Sequence, residues 1–387
     1  MSDRAEQYLA RNKSAARGTD ADVWAKFEQL YSKKLWHELG VEVRKFTNTL
    51  PFNVDLWQFY ENFVSSFEHR LNPLVLSEIA LPIADHVYRS DQEKAFEFLA
   101  KIERAVSKEK LAAIRIHVGQ IKLRLEQKDK YDRCVDIARV RDMIEVTRKE
   151  VEDLVGVGPV HAPFYKVSSK YYQEIGDYAS YYREALRYLG VEDVGSLTQE
   201  EKHVHAVLLG FAALLGEGIY NLGELLAHPI LSSLNGSQES WIAELLFAFN
   251  SGDIKKLLEL ERYWGEWDDL KRRKEFLLSK IQLLALMEVS LQRATKNREL
   301  DMAEIAAACH VPVERVEHLV MRALSKKLIR GSIDQEKSKV MITWVQPRVL
   351  DTAQATGVVN RVVEWMADVK QMEALVATNA KEILTRA

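Results

Sequence analysis

Between residues 296 and 346 the chain carries a helix, a turn, a second helix and two β-branched runs, in that order. Asp301 with Glu304 three residues on predicts a capped helix start, continued by Ile305 and Ala306 to Ala308 as far as a turn at Cys309, His310 and Val311. Pro312 suits the first turn of the next helix, where Val316, Leu319, Val320, Ala323 and Leu324 form one apolar stripe. The runs Leu328 to Ile333 and Val340 to Trp344, parted by a polar stretch, predict a hairpin. Helix, turn, helix, hairpin is the order of a winged helix, a module that holds either nucleic acid or protein. Its apolar hairpin residues Leu328, Ile329, Ile333, Val340, Ile342 and Trp344 are candidate contacts.

Beyond Pro347 follows a different pattern. Val358, Val362, Trp365, Val369, Met372, Val376 and Ile383 alternate at spacings of four and three, skipping Asn379. A repeat averaging 3.5 residues marks a helical seam that packs on other helices. The partner is either the chain's own body or a bundle of other chains; Trp365 and Met372 on so narrow a stripe favour the bundle. All seven are candidate interface residues.

Upstream the pattern is helix after helix. Trp24, Phe27, Tyr31 and Leu35 recur at helical spacing, as do Leu56, Tyr60, Phe63 and Phe67, and Leu111, Ile114, Val118, Ile121 and Leu125. Asn72-Pro73 reads as a cap with proline in the first turn, Thr198 with Glu201 as a capping box, and Gly176-Asp177 as a break and restart. Gly190 reads as another helix end, and His228 before Pro229 as a helix-end histidine on the last carbonyls. Pairs of helices in a rhythm of roughly 30–40 residues match a helical solenoid. The expected plan is an all-α solenoid, a winged helix with a small β wing, and a bundle helix. In numbers it is a frayed lead-in at 1–19, helical repeats at 20–170, a helical part at 171–295, the winged helix at 296–346 and the bundle helix at 347–387.

Composition sets limits on function. The formal charge is −3, so there is no general attraction to nucleic acid or anionic membrane. Cys134 and Cys309 show no pairing pattern, which predicts free thiols in a reducing compartment, cytoplasm or nucleus. No run approaches the ~20 apolar residues of a membrane span. The phosphate-binding G-x-x-x-x-G-K-[ST] pattern is absent, and Gly156-Val157-Gly158-Pro159 lacks both a third glycine and a preceding strand. His203 and His205 point to different faces of a helix, with no further ligand at metal-binding spacing. No catalytic residue, cofactor or metal is expected.

Two aromatic and charged patterns bear on nucleic-acid binding. Tyr165, Tyr171, Tyr172, Tyr178, Tyr181, Tyr182 and Tyr188 could stack single-stranded RNA, yet nearby basic residues outnumber acidic ones by only one, so packing between paired helices is preferred. Between Lys296 and Lys339 there are nine Lys and Arg against seven Asp and Glu. Glu314 and Glu317, beside His318 and Arg322 on the outside of the second helix, would repel phosphate. Protein, rather than nucleic acid, is the expected partner.

Several stretches resemble PCI-domain proteins. They are YSKKLWHEL (31–39), YENFVSSFEHR (60–70), FYKVSSKYYQEIGDYASYYREALRYLG (164–190), LLGEGIYNLGELLAHPIL (214–231), AFNSG (248–252), KIQLLALME (280–288), and 319–351 with GSID and TWVQPRVLD. Such proteins build the proteasome lid, the signalosome and translation initiation factor three, and these stretches look like the lid branch. That resemblance implies a structural, non-catalytic subunit supporting ATP-dependent degradation of ubiquitinated proteins. Implied partners are other PCI-domain lid subunits through side-by-side winged helices, and metalloprotease-like lid subunits through a helical bundle. The neighbouring ubiquitin receptor is a further candidate; nucleic acid and membrane are not. A signalosome, initiation-factor or nucleic-acid-associated PCI protein would share the fold.

Overall fold

The computed structural model describes residues 2–15, 19–49, 55–130, 133–193, 195, 197–292, 299–349 and 352–384. The chain forms two compact units, 1–193 and 194–387. The division expected at 170/171 therefore falls inside a helix, and the expected boundary near 293–299 lies mostly outside the described residues.

The first unit is built from α1 (Ser2–Ala15), α2 (Thr19–Ser32), α3 (Trp36–Thr49), α4 (Leu56–Asn62), α5 (Pro73–Tyr88), α6 (Gln92–Val106), α7 (Lys110–Glu126), α8 (Ile137–Glu152), α9 (His161–Ile175) and α10 (Tyr178–Val191). Short 3-10 turns at Val64–Ser66 and Glu68–Arg70 carry the expected Phe63–Phe67 spacing past the end of α4. Residues 2–15, expected to be part of a frayed lead-in, form the helix α1. α1 buries Ala5 and Leu9 completely and packs on α2, although only two of its turns carry apolar side chains large enough to register as a pattern. Edge-to-face rings make the core behind it: Trp24 meets Phe27, Phe46 and Phe59 at centroid distances of 5.5–5.9 Å.

α7 explains why the unit behaves as a solenoid. Its Ala112, Ile116 and Leu123 belong to the core shared with α5 and α6, while Ile114, Val118, Ile121 and Leu125 belong to the next, with α8 and α9. A helix apolar on two faces is a wall between successive layers, each layer needing its neighbour to cover it. Gly119 allows the close approach: a Cβ there would sit 2.0 Å from Leu81 Cδ2.

Capping follows the sequence at most of the expected points. Asn72 Oδ1 accepts from Leu74 N with Pro73 in the first turn, and Gly176 ends α9 in the left-handed region before Asp177 caps α10. Thr198 and Glu201 form the reciprocal capping box. Gly190, by contrast, lies within α10, which runs one residue further to Val191. His228 does end a helix, its backbone N donating to Leu225 O at 3.1 Å, and its Nδ1 accepts from Ile230 N to start the 3-10 turn Pro229–Leu234.

The second unit opens with α11 (Gln199–Leu215), α12 (Gly223–Ala227), α13 (Ser240–Ser251), α14 (Ile254–Glu259), α15 (Glu261–Trp264), α16 (Asp268–Arg272) and α17 (Lys274–Gln292). It continues with β1 (Glu299–Asp301), α18 (Met302–Cys309), α19 (Val313–Ser325), β2 (Ile329–Asp334), β3 (Lys339–Val345) and α20 (Thr352–Leu384). α17 is the spine, packing on α11 and α13 on one side and on α18, α19 and β3 on the other. Its Lys280 is 2% exposed, and the ammonium donates to the carbonyls of Ala213, Leu214 and Gly216 at 2.6, 3.1 and 2.9 Å. Those carbonyls close α11, whose last turn has no helical donors left, so a lysine from another helix supplies them. Burial pulls the Lys280 ammonium down to about 7.

The sheet has one strand that the sequence did not disclose. β3 lies between β1 and β2, antiparallel to both, with Leu300 opposite Val340. Three residues show no alternation, and in the sequence Asp301 reads only as a helix cap. In fact its side chain makes no capping bond; the first amide of α18, Met302 N, donates instead to Ser338 O at 3.0 Å.

Candidate protein interface

The wing is built by a bulged hairpin. β2 and β3 pair from Ile329 opposite Val345 to Asp334 opposite Lys339, with a register shift between Arg330 and Gly331. Gly331 is required there because a Cβ would stand 2.1 Å from the Met341 carbonyl oxygen. The turn closes with Lys337 N donating to Asp334 Oδ1 at 3.1 Å.

This geometry redistributes the expected contact residues. Leu328, Ile329, Val340 and Ile342 are at most 2% exposed, and Ile333 and Trp344 are half-buried. Alternate strand residues point to opposite faces, so Leu328, Ile329, Val340 and Ile342 face the chain's own helices, while past the register shift Trp344 pairs with Arg330 and shares its outward face. The outward set is Arg330, Ser332, Met341 and Thr343, with Met341 45% exposed. Period-two alternation in Val340 to Trp344 contained that signal, since the residues between the apolar ones are those left outside. Thr343 Oγ1 donates to Arg330 O at 3.1 Å, and the Arg330 guanidinium lies 4.8 Å from the centre of the Trp344 ring. β2 is an edge strand with no strand on its far side among the described residues.

α20 presents the opposite case. Every described side chain of the expected seam is exposed, from Val358 at 43% to Trp365 at 67%. Val362, Val369, Met372 and Val376 lie between those limits, and the Ile383 side chain lies outside the described residues. The seam is also wider than the narrow stripe expected. Val359, Val363, Met366 and Leu375 are exposed beside it, which spreads the apolar surface over a broader face of the helix. Charges at Arg361, Glu364, Asp368, Lys370 and Glu373 interrupt the remaining surface.

The segment leading to α20 is fixed even though the helix is uncovered. Gln346 N donates to Leu328 O at 2.8 Å, and Val349 N donates to Asn221 Oδ1 at 3.3 Å. Arg348 donates to Asn250 O at 3.0 Å and pairs with Glu288 of α17. Val349 sits against Gly223, where a Cβ would come within 2.6 Å of its own Cβ.

The other sequence candidates take structural places. Tyr181, Tyr182 and Tyr188 of α10 are buried, and Tyr171 of α9 is buried in the core it shares with α7 and α8. The Lys166 ammonium lies 5.7 Å from the Tyr188 ring and the Arg187 guanidinium 5.9 Å from Tyr165, so cations of the chain itself occupy faces that a base would need. His203 Nε2 lies 3.4 Å from Glu239 Oε2. Among the described residues no group of three or more His, Cys, Asp or Glu is placed to hold a metal, and no helix is long and apolar enough to cross a membrane.

Comparison with known proteins agrees with this architecture. Residues 23–246 match the family described as PSD13 N-terminal repeats, and residues 257–344 match the PCI domain. The 26S proteasome non-ATPase regulatory subunit 13 of Dictyostelium discoideum is 32% identical over 92% of this chain and 92% of its own length. Homolog A of that subunit in Arabidopsis thaliana is 34% identical, over 87% and 88% respectively. The 26S proteasome regulatory subunit RPN9 of Saccharomyces cerevisiae is 33% identical, over 91% and 92%. With PSD13 repeats across more than half of its length and full-length relatives above 30% identity, the chain belongs to the PCI-domain family of 26S proteasome non-ATPase regulatory subunit 13.

Proposed function

We propose that this chain is a non-catalytic structural subunit of the proteasome regulatory-particle lid, supporting degradation of ubiquitinated proteins by holding neighbours in place. The observation that carries the reading is α20, whose broad apolar face is uncovered along its described length. Exposed apolar surface on this scale marks a site that another chain covers. The relatives named as proteasome subunits supply the assembly.

In this reading α20 enters a bundle with helices of other lid subunits, including the metalloprotease-like ones. The wing meets neighbouring PCI subunits through the β2 edge and the outward side chains Arg330, Ser332, Met341 and Thr343. The ubiquitin receptor is a further candidate neighbour, and the protein works in cytoplasm and nucleus.

The test is purification through a tag on this chain, followed by mass spectrometry. Recovery of PCI-containing and metalloprotease-like lid subunits in near-stoichiometric amounts supports the proposal. Recovery with signalosome or initiation-factor subunits alone would overturn it.

A further inference from the structure

A groove between α17 and α19 is cationic, and its charges are unmatched. It has a volume of about 270 Å³ and is lined by Gln282 of α17, His310 at the α18–α19 turn, and Arg315, His318, Leu319 and Arg322 of α19, among others, with no Asp or Glu in the lining. Among the described residues, none of His310, Arg315, His318 and Arg322 makes a side-chain hydrogen bond or ion pair. Elsewhere several arginines are paired: Arg44 with Glu78, Arg148 and Arg187 with Glu184, Arg348 with Glu288.

The sequence explains how acid and base come apart on one helix. Arg315, His318 and Arg322 are spaced three and four residues apart and share a stripe, whereas Glu314 and Glu317 fall on the adjacent one. Counting charges over the whole winged helix cancels them; the helical period separates them. Leu319 and Val316, both buried, give the stripe an apolar floor.

We propose that this groove binds an acidic peptide segment of another polypeptide, independently of whether that polypeptide belongs to the proteasome. Two guanidiniums about two helical turns apart, with imidazoles between and beside them, can receive successive carboxylates, each as a forked charge-assisted hydrogen bond. Peptide is favoured over nucleic acid because the cationic surface is short. An extended phosphate backbone following α19 would meet Glu314 and Glu317, while a peptide crossing the helix at the groove avoids them.

The experiment uses the full chain and fluorescence anisotropy at low salt. The probes are a fluorescein-labelled octaglutamate, an octaglutamine of the same length, and a labelled single-stranded DNA octamer. Octaglutamate is expected to bind, weaken as salt is added, and exceed both other probes. Arg315→Glu with Arg322→Glu should reduce affinity roughly tenfold or more, in line with losing two charge-assisted contacts. The milder pair Arg315→Gln with Arg322→Gln reads the same effect if charge reversal disturbs folding, which circular dichroism reports. Lys255→Glu with Lys271→Glu, exposed and remote from the groove, makes the same change in net charge and should alter affinity less than twofold. Absence of octaglutamate binding, an equal loss in the remote pair, or tighter binding of the DNA octamer would each overturn the proposal.

Discussion

The wing and α20 carry the same kind of sequence signal and meet opposite fates. Both are periodic and apolar, and both read as contact surfaces. In β2 and β3 the apolar residues are consumed by the chain's own helices, with Ile342 2% exposed; in α20 Val369 is 49% exposed. Periodicity states that a face will be buried but is silent about which chain buries it. The difference lies in what packs nearby: α17 and α19 cover the hairpin, whereas α20, which meets α17 where Arg361 donates to Leu291 O at 3.5 Å, keeps its apolar side chains exposed.

The sharpest way to break this comparison is to place the same charge on both sides. Ile342→Asp buries a carboxylate without a partner and should cost about 3–5 kcal/mol of the monomer's stability, read as a lower urea midpoint. Val369→Asp should leave that midpoint nearly unchanged while sharply reducing recovery in tagged complexes. If both variants lose monomer stability equally, α20 is packed on its own chain.

Gly331→Ala tests the wing alone. The new Cβ collides with the Met341 carbonyl, backbone that cannot swing aside, so a loss on the order of 1–3 kcal/mol is expected. Gly357→Ala in α20, where nothing lies within 4 Å of the added Cβ, should be neutral or slightly stabilising in thermal unfolding.

Lys280 sharpens the account of the spine beneath the wing. Its folded value of about 7 is below that of an unfolded lysine. The unfolded chain therefore binds more protons between about pH 7 and the ordinary lysine value near 10.4, and stability gains up to roughly 1.4 kcal/mol per pH unit from this group as pH rises through that window. Lys280→Met should abolish that component, seen as a shallower dependence of the urea midpoint on pH between 7.5 and 9.5. An unchanged dependence would mean that the three carbonyls hold the ammonium fully charged.

The smallest effect concerns the thiols. Burial raises Cys309, in the core of the winged helix, to about 12, so little thiolate exists at pH 8, and alkylation by iodoacetamide should be very slow. Cys134 is half-buried and should react first. Faster labelling of Cys309 would show that the winged helix opens readily.

Most of the fold was legible because helices repeat their signal over many turns. The apolar stripe from Leu111 to Leu125 of α7, the capping box at Thr198 and the seam from Val358 to Val376 each survive in the structure. What escaped was short or dependent on partners distant in sequence. β1 has three residues and takes its identity from pairing with β3. α1 shows one face only through Ala5 and Leu9. Lys280 is one lysine among many until α11 brings three carbonyls to it. The candidate interface was half legible: the exposed face of α20 through its seam, but the wing's outward face only through the residues skipped by the apolar pattern. The cationic groove was hidden by summing charge along the chain instead of around α19.

Hydrogen–deuterium exchange across 355–378, compared between the free monomer and the complex purified through a tag, tests the central claim most directly. A helix with no packed face is only marginally stable in water, so its amides should exchange early in the free chain while those of α17 remain protected. In the complex the same α20 amides should become as protected as α17. Strong protection of α20 in the free monomer would contradict the account and place the covering surface on this chain itself.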